Sequence, residues 1–306
     1  GNSIMTTHSQ TAAHTWSSKR VLVSGATGFI GSEVTKRLTE INSQVSVITR
    51  TRPANQSVNW ISAGDSHAFP SQEIAEFNPE VVIHLATRFQ SSHSPADIKG
   101  LVQSNIEFGT NLLESAKEAG AVFVNINSAW QHFESQQYSP VSLYAATKQA
   151  FADIAQYYGE TGLDLRNLTL YDTYGPTDKR NKLVRQLLNA ACKNERLDMG
   201  PGDQLINLLF VSDVVAAILR IAELPRAPII QNYVVRAENS ISIRELVTEI
   251  EKVTKNKLNV NWGARQARPR EMTSDWVFGE LLPGWQQHVN LEAGLTSCWQ
   301  EHISEP

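Results

Sequence analysis

The sequence predicts an α/β fold, a doubly wound parallel sheet with a smaller C-terminal α+β lobe. Short apolar runs rich in β-branched residues alternate with longer amphipathic segments, a pattern typical of parallel strands buried on both faces and joined by helices. From about residue 177 the alternation loosens and clusters of Pro and Gly appear. The length of 306 residues, 41% of them hydrophobic, is enough for two such bodies.

The strands are expected at the apolar runs and the helices at the amphipathic segments between them. The runs include RVLVSG (20–25), QVSVITR (44–50), EVVIHLAT (80–87), AVFVNINS (121–128) and LRNLTLYDTYG (165–175). The helical patterns lie near 31–41, 72–77, 100–119 and 144–161. Because a helix separates successive strands, the strands are expected to run parallel.

The chain is expected to divide into a sheet domain, a smaller lobe and a terminal tail. The sheet domain takes residues 19–176 and about 206–236, and the smaller lobe takes 177–205 and 237–306. Residues 1–18 are polar and are expected to be a disordered tail, with GNSI (1–4) typical of a cloning remnant.

Charge and cysteine content exclude several classes of partner. Lys and Arg number 27 against 31 Asp and Glu, a net charge of -4 that gives no general attraction to nucleic acid or anionic membranes. The two cysteines, Cys192 and Cys298, make no disulfide framework and have no neighbours at a metal-ligand spacing. No segment has the composition of a membrane span or a signal peptide, so a small-molecule partner and a cytoplasmic location are expected.

Three glycines lie between the first strand and the first helix, in GATGFIG (25–31). The first permits a tight turn, the second lets a diphosphate approach the backbone, and the third allows close packing of helix on strand. The N–H groups and dipole of the helix N-terminus favour negative charge there. The spacing differs from the common GxGxxG fingerprint, and a glycine-rich turn without a ligand is the alternative. We predict a dinucleotide-binding Rossmann domain, with the smaller lobe binding substrate.

The residues after the second strand predict which dinucleotide is bound. An acid at this place receives the ribose hydroxyls of NAD, whereas a base accepts the 2′-phosphate of NADP. VITRTRP (47–53) supplies Arg50 with Arg52 close behind, so NADP is expected rather than NAD. Two solvated arginines are the alternative. Asp65, in AGDSH (63–67) after the third strand, is expected to bond the adenine amino group.

Tyr144 and Lys148, in SLYAATKQAF (142–151), are four residues apart and project from one face of the predicted helix. A phenol ionises at about pH 10, but an adjacent ammonium stabilises the phenolate and lowers the pKa of the phenol. Such a pair also occurs by chance on solvated helices. Its place after a strand that ends in Ser128, a hydroxyl able to polarise a carbonyl, favours a catalytic role.

Six segments, GATGFIG, HLAT, NIEFGTNLLESAKEAG, NSAW, YAATK and DTYGP, together resemble the extended short-chain dehydrogenase/reductase family, in its branch of nucleotide-sugar epimerases and dehydratases. The resemblance runs from about residue 19 to at least 272. It implies that Ser128, Tyr144 and Lys148 are catalytic and that Asn105 has both a structural role and a role in proton relay. It also implies dinucleotide contacts at Gly25, Thr27, Gly28, Phe29, Ile30, Gly31, Arg50, Asp65, Leu85, Ala86, Thr87, Asn105, Tyr144, Lys148, Tyr171 and Thr173.

Departures from the family pattern indicate the reaction. Sugar 4,6-dehydratases have an Asp–Glu pair after the serine or threonine, where this chain has Ala129 and Trp130, so elimination is not expected. Asp172 stands at the usual asparagine and Ile206 at the usual arginine, two sites that handle the nucleotide sugar. These changes, with YSPVSLYAATKQAF, DTYGPTDKRNKL and RPREM, resemble the 4-keto-6-deoxyhexose reductases, the group of the CDP-abequose and CDP-paratose synthases.

The resemblance implies NADPH-dependent reduction of the C4 ketone of a nucleotide-linked 4-keto-6-deoxyhexose in bacterial deoxysugar biosynthesis. Tyr144 is expected to protonate the developing alkoxide, while Lys148 and Ser128 stabilise its charge. Contacts with the sugar and diphosphate are expected at Arg88, Trp130, Gln131, His132, Asp172, Arg180, Lys182 and Arg268. An NAD-dependent 4-epimerase with the same triad is the alternative, and a non-catalytic dinucleotide-sensing protein is a more distant one.

The two long predicted helices, 100–119 and 144–161, carry apolar residues on more than one face. A helix that covers a sheet needs one apolar stripe, so a second stripe favours another partner. The resembling family pairs these helices with their copies in a four-helix bundle, and a homodimer is therefore expected. Packing of the extra residues under the smaller lobe is the alternative. The apolar residues are Leu101, Ile106, Leu112, Leu113, Phe151, Ile154, Tyr157 and Tyr158.

Overall fold

The computed structural model describes residues 15–63, 68–85, 88, 90, 92–129, 140–266 and 279–305. Within these residues the chain divides into two compact units. The first unit takes the described residues of 15–127, 142–169 and 215–233, and the second takes those of 128–141, 170–214 and 234–305. The first unit therefore holds both the glycine motif and the Tyr–Lys pair.

The strands and helices are numbered here in chain order. The strands are β1 Arg20–Ser24, β2 Gln44–Thr49, β3 Asn59–Ser62, β4 Val81–His84, β5 Val122–Ser128, β6 Asp164–Leu170, β7 Asp172–Tyr174, β8 Arg196–Asp198, β9 Leu205–Ile206, β10 Leu208–Phe210, β11 Gln231–Val235, β12 Ile241–Ser242 and β13 Asn259–Asn261. The α-helices are α1 Phe29–Glu40, α2 Ser71–Phe77, α3 Ile98–Val102, α4 Phe108–Ala119, α5 Leu143–Glu160, α6 Leu183–Lys193, α7 Val211–Glu223, α8 Ile243–Thr254 and α9 Leu291–Ser304. In the described part of the chain, none of the helices combines the length and apolar character that crossing a membrane requires.

A seven-stranded sheet with the order β11-β6-β5-β4-β1-β2-β3 dominates the described residues. The pairs from β3 across to β5 are parallel, and Val23 of β1 lies between Val47 of β2 and Ile83 of β4. The three central residues of β1, Val21, Leu22 and Val23, are apolar and fully buried, as expected for a strand that is covered on both faces. The predicted α/β fold is confirmed. The chain order reverses at β1, and ligands bind at such switch points in doubly wound sheets.

Helices α4 and α5 pack against each other and, with the sheet, enclose the core that contains Phe123 of β5. Most residues predicted to form a second apolar stripe are buried or pack against this core: Leu101, Leu112, Leu113, Phe151, Ile154 and Tyr158. All of these except Leu101 belong to this core of the first unit or pack against it. Along α3 to α5, the large apolar side chains that stay exposed in the described structure are Ile98, Val102 and Tyr157.

The predicted helix over 100–119 is interrupted near its middle. A π-helical segment, Gln103–Glu107, joins α3 to α4, so one turn of the helix contains an extra residue. Such bulges are frequent at functional sites because they turn a side chain away from its regular position. Here the affected residue is Asn105, which is buried. The periodicity of apolar residues along the sequence does not reveal this extra residue.

The predicted tail is wrong in its last residues. Trp16 is fully buried, its indole N–H donates to Glu223 Oε1 at 2.5 Å, and its carbonyl accepts from Ser43 Oγ at 2.7 Å. A single large aromatic ring inside a polar stretch anchors the segment through buried area, which charge composition does not reveal. Residues 1–14 of the expected tail lie outside the described residues.

The second unit is built from short paired strands and helices. Strand β7 pairs with β10 and β8 with β13 in parallel, while β9 and β12 are antiparallel. Helices α6, α8 and α9 supply most of its apolar core, which includes Leu187, Leu246 and Leu295. The single strand predicted over 165–175 is instead two strands, because the chain leaves the large sheet after Leu170 and pairs with β10.

Asp213, in the first turn of α7, organises the C-terminal part of the second unit. Its carboxylate accepts from the backbone N–H groups of His288 and Val289, each at 3.0 Å, and its carbonyl accepts from the Trp285 indole at 2.9 Å. Asp213 is 2% exposed, so these bonds replace the hydration of a buried carboxylate. The side chain is a structural anchor that motif analysis alone did not identify.

Candidate active site

The glycine motif forms the turn between β1 and α1. Gly25 has φ +72°, a conformation that favours glycine. A Cβ on Gly31 would lie 1.9 Å from the carbonyl oxygen of Gly25, so only glycine permits this approach of helix to strand. The first turn of α1, FIGS, contains no acid, and Gly28 at the N-cap has no side chain to bond the helix N–H groups. The turn therefore presents backbone donors where an anion is favoured.

A buried serine–histidine pair lies at the ends of the two strands that flank the switch point. Ser24 of β1 and His84 of β4 share a hydrogen bond between Oγ and Nδ1 at 2.7 Å, and the Leu85 N–H donates to the same Oγ at 2.9 Å. The rings of Phe108, Phe123 and Phe151 enclose the imidazole. Burial and then the charge of Lys148 lower the pKa of His84 to about 3, so the imidazole is neutral at working pH.

Asn105 connects the loop after β4 to helix α5. Its Oδ1 accepts from the Arg88 N–H at 2.7 Å, and its Nδ2 donates to the Arg88 carbonyl at 3.1 Å and to Thr147 Oγ1 at 3.0 Å. Thr147 in turn donates to the Tyr144 carbonyl at 2.7 Å. Three hydrogen bonds satisfy this buried amide and fix the loop against the helix. The structural part of the role expected for Asn105 therefore has a geometric basis.

Helix α5 carries the Tyr–Lys pair near its start. Ser142 caps the helix by accepting the Ala145 N–H at 3.1 Å, which defines where the first turn begins. Tyr144 is partly buried and Lys148 is 4% exposed. Burial lowers the pKa of Lys148 from 10.5 to about 8. A ligand oxygen placed beside an ammonium that has lost this much hydration gives it a strongly favourable electrostatic interaction.

Ser128 is the last residue of β5 and is partly buried. The next residue, Ala129, is 1% exposed and packs with Val234 and Tyr171 in a small apolar cluster of the second unit. The place where dehydratases of the resembling family have an acid is therefore occupied by a buried methyl group. The apolar cluster around Ala129 would not solvate a carboxylate.

The cations expected at the adenine and substrate ends differ in their surroundings. Arg50 is exposed directly after β2. Arg88 forms an ion pair with Asp97 at 3.0 Å. In the second unit Asp178 accepts from both Nε and Nη2 of Arg180, at 2.8 and 2.9 Å. Two of the three arginines are thus already paired with carboxylates.

Lys182 is the N-cap residue of α6 and lies in the second unit with Asp172, a residue of β7. Burial, and then the charge of Arg180, lower the pKa of the Lys182 ammonium, while the carboxylates of Asp172 and Asp178 act in the opposite direction. A cation at the positive end of a helix dipole is electrostatically unfavourable. An anion near this helix end would relieve that repulsion.

The remaining predicted site residues fall into two groups. The described ones are placed as follows: Thr27 in the glycine turn, Phe29 and Ile30 at the start of α1, Leu85 directly after β4, Tyr171 between β6 and β7, and Thr173 within β7. Those that lie outside the described residues are Asp65, Ala86, Thr87, Trp130, Gln131, His132 and Arg268.

Three residues of this region were missed as site residues by sequence reasoning, namely Ser24, His84 and Thr147. Ser24 and His84 lie in quoted segments, but only the register of β1 with β4 brings their side chains together. Thr147 contacts Asn105 across 42 residues of sequence. A polar residue at the end of an apolar strand was the available signal for the first two.

Comparison with known proteins gives consistent matches over most of the chain. The model of the "NAD dependent epimerase/dehydratase family" matches residues 21–235. The CDP-abequose synthase of Yersinia pseudotuberculosis is 26% identical over 268 residues, which cover 86% of this chain and 94% of that protein.

Two solved structures show the same fold. MoeE5 in complex with UDP-glucose and NAD has a TM-score of 0.79 at 24% identity and covers 93% of this chain and 98% of its own. The UDP-glucuronic acid 4-epimerase from Bacillus cereus, in complex with UDP-glucuronic acid and NAD, has a TM-score of 0.82 at 20% identity, with coverages of 92% and 98%. At these identities the likeness establishes architecture alone.

Proposed function

The chain belongs to the NAD dependent epimerase/dehydratase family, and we propose that it reduces the C4 ketone of a nucleotide-linked 4-keto-6-deoxyhexose with NADPH. Membership confirms the resemblance inferred from the sequence motifs. It makes the protein an enzyme that modifies nucleotide sugars with a nicotinamide dinucleotide. The choice of reaction within the family depends on this chain's own residues.

The observation that carries the proposal is the cationic, acid-free end of β2. The run VITRTRP (47–53) places Arg50 where an acid would select NAD. An epimerase returns its hydride to the sugar and regenerates its cofactor in each cycle, whereas a reductase consumes a reduced cofactor. A preference for NADPH therefore favours reduction. The buried Ala129 argues against elimination, because that reaction needs an acid and a base beside the sugar.

The first unit has groups that fit a nicotinamide dinucleotide. The approach of Gly31 to Gly25 leaves the N-terminus of α1 open to a diphosphate. Lys148 supplies a buried ammonium for the hydroxyls of the nicotinamide ribose. These are two different donor types, one for the central diphosphate and one for the nicotinamide ribose of the same extended ligand, which is the chemistry that a dinucleotide requires.

NADPH, held by the glycine turn and Lys148, would supply a hydride to C4 of the sugar in the proposed reaction. Tyr144 donates its phenolic proton to the ketone oxygen as that oxygen becomes an alkoxide, so the product is a C4 hydroxyl and Tyr144 is left as a phenolate. The Lys148 ammonium stabilises this phenolate, and Ser128 donates a hydrogen bond to the reacting oxygen. A proton from solvent then restores the phenol, which balances the consumption of one NADPH and one proton.

The second unit is proposed to bind the nucleotide diphosphate and sugar. Lys182 at the N-terminus of α6, with Arg180 and Asp172, supports a diphosphate and sugar site there. Arg88 of the first unit, and Trp130, Gln131, His132 and Arg268, are retained as proposed contacts. The CDP-abequose synthase relative is consistent with this substrate class but does not select the nucleotide base.

We also propose a homodimer through helices 100–119 and 144–161. Its support in the structure is the exposure of Val102 and Tyr157 in these helices and of Ile98 just before the first of them, since exposed apolar side chains favour an interface. Light scattering at micromolar concentration is expected to give twice the chain mass of 34.0 kDa. A monomer mass at that concentration would contradict the dimer.

An NAD-dependent 4-epimerase is the second candidate, because solved 4-epimerases share the fold. The decisive experiment incubates the enzyme with NADPH and a panel of CDP-, dTDP- and GDP-linked 4-keto-6-deoxyhexoses, while absorbance of the reduced nicotinamide is followed. Oxidation of one NADPH per sugar reduced is expected with at least one substrate. Interconversion of C4 epimers without net oxidation of NADPH would instead identify an epimerase.

A further inference from the structure

An arginine–tryptophan stack lies at the edge of the large sheet, next to the proposed 2′-phosphate site. The guanidinium carbon of Arg52 is 5.7 Å from the ring centre of Trp60, within the range of a cation–π contact. Trp60 belongs to β3, which pairs in parallel with β2, so Val47 lies beside it in register. The turn that follows β2 is thereby brought over the neighbouring strand.

One buried hydroxyl links both parts of this stack. Thr49 Oγ1 donates to the carbonyl of Thr51 at 2.6 Å, which holds the backbone directly before Arg52. The same oxygen accepts the Trp60 indole N–H at 2.9 Å, which fixes the ring beneath Arg52. Thr49 is 8% exposed, so these bonds are shielded from water. The arrangement constrains an arginine that is itself exposed.

We infer that Trp60 and Thr49 are positioning residues that hold the Arg52 guanidinium as a second contact, with Arg50, for the 2′-phosphate of NADPH; this inference rests on the proposed function. A phosphate monoester has several oxygens and two negative charges, so it is well matched by two guanidinium groups. NADH carries a hydroxyl instead of the 2′-phosphate, so neither guanidinium group adds much to its binding free energy. The stack is thus a device for cofactor specificity.

The physical advantage is preorganisation. A solvated arginine loses its rotational freedom when it binds a phosphate, whereas one already held over a ring has lost part of it beforehand. An aromatic face attracts the guanidinium cation without using all of its N–H groups as hydrogen-bond donors. These N–H groups can therefore still donate to a phosphate. Among the described residues, no carboxylate forms an ion pair with Arg50 or Arg52, in contrast with Arg88 and Arg180.

The test measures dissociation constants of NADPH and NADH by isothermal titration calorimetry on the full chain. Trp60→Leu is expected to weaken NADPH roughly three- to fivefold and to leave NADH unchanged, the scale of an exposed cation–π contact. Trp60→Phe keeps an aromatic face and is expected to restore most of the NADPH affinity. Thr49→Val, which removes the linking hydroxyl, is expected to act in the same direction with a smaller effect.

Two controls make the result specific. Trp262→Leu removes another arginine–tryptophan stack, in which the Arg244 guanidinium lies 4.5 Å from the ring centre in the second unit, and is expected to change neither constant. Unchanged NADH binding reports that each variant of Trp60 retains its fold. Equal weakening of NADPH and NADH in Trp60→Leu, or no weakening of NADPH, would overturn the inference.

Arg50→Asp and Arg52→Gln separate this inference from the proposed function. If neither substitution discriminates NADPH from NADH, the NADPH preference itself fails, and the role of the stack fails with it. If Arg52→Gln selectively weakens NADPH while Trp60→Leu does not, the preference stands and the positioning role is refuted. Selective weakening in both variants supports both statements.

Discussion

The cations of the proposed cofactor site and those of the proposed substrate site are held in opposite ways. Lys148 is buried with a lowered pKa, and the ion pairs of the described residues include neither Arg50 nor Arg52. Arg88 and Arg180 are each already paired with an aspartate, at 3.0 and 2.8 Å. The first group gains a ligand anion without losing a protein partner. The second group has to exchange one anion for another.

This difference indicates where binding energy is available. The ion pair of Arg88 is partly exposed on both sides, and such a pair contributes about 0–1 kcal/mol, so exchanging it for a phosphate changes the binding free energy little. Arg180 is held by the buried carboxylate of Asp178, so it has little interaction left to offer a ligand. A buried ammonium has lost hydration and recovers interaction energy when a ligand oxygen arrives. Substitutions at Lys148 and Arg50 are therefore expected to matter more than a substitution at Arg180.

The largest effect is expected from Tyr144→Phe, which separates proton donation from cation binding. Loss of the phenolic proton donor should lower kcat by roughly 10²- to 10⁴-fold. The Kd for NADPH should stay close to that of the unsubstituted protein, because Lys148 and the glycine turn are retained. Single-turnover kinetics and calorimetry measure the two quantities. Turnover close to that of the unsubstituted enzyme would refute the proton-donor role.

Lys148→Met is expected to lower both kcat and NADPH affinity, because in the proposed reaction one ammonium supports the phenolate and the cofactor ribose. It should also stabilise the ligand-free protein. Burial lowers the pKa of Lys148 from 10.5 to about 8, so at pH 7 the folded state carries a charge that it disfavours. Replacement by an apolar side chain should raise the free energy of unfolding at pH 7 by on the order of 1–3 kcal/mol.

The pH dependence of stability provides an independent check of the Lys148 prediction. Between about pH 8 and pH 10.5 the unfolded chain binds more protons at Lys148 than the folded chain does. The contribution of this group to stability therefore rises with pH in that window and is constant below it. Urea unfolding across the window should show the rise in the parent protein and lose it in Lys148→Met. The same slope in both proteins would show that Lys148 is solvated in the folded state.

Arg50→Asp tests a second member of the first group. It replaces the proposed charge-assisted phosphate contact by repulsion, so the Kd for NADPH should increase by about 10- to 100-fold while that for NADH changes much less. Arg37→Asp, a charge reversal in the last turn of α1, is the matched control for a general effect of charge. Equal changes for both cofactors would exclude Arg50 as the phosphate contact.

The smallest effect is expected from Arg180→Gln in the second group. Because Arg180 is paired with Asp178, its loss should raise the KM for the nucleotide sugar by less than about fivefold. Steady-state kinetics with the substrate identified from the panel measures this value. An increase of a hundredfold or more would break the contrast between the two groups, since it would show that the ion pair opens at little cost.

Sequence reasoning was most successful where a pattern is local. The predicted α/β fold was correct, and the strand at RVLVSG and the helix near 144–161 agree with β1 and α5 to within about one residue. The structure departs from the sequence-based expectations where a residue interacts with a partner that is distant in sequence. Trp16 is buried against residues of α7, and the 165–175 strand is broken because β7 pairs with β10. Periodicity contains no information about such partners.

The sequence by itself determined the glycine turn and the four-residue spacing of Tyr144 and Lys148, because steric limits at Gly31 and the helical repeat act between near neighbours. Only the tertiary structure decided which polar groups meet. It clamps Asn105 between Arg88 and Thr147, and it pairs two of the arginines expected at the substrate, Arg88 and Arg180, with aspartates. The reason is physical: hydrogen bonds and ion pairs depend on distances of a few ångströms, and these distances are set by how separate segments pack.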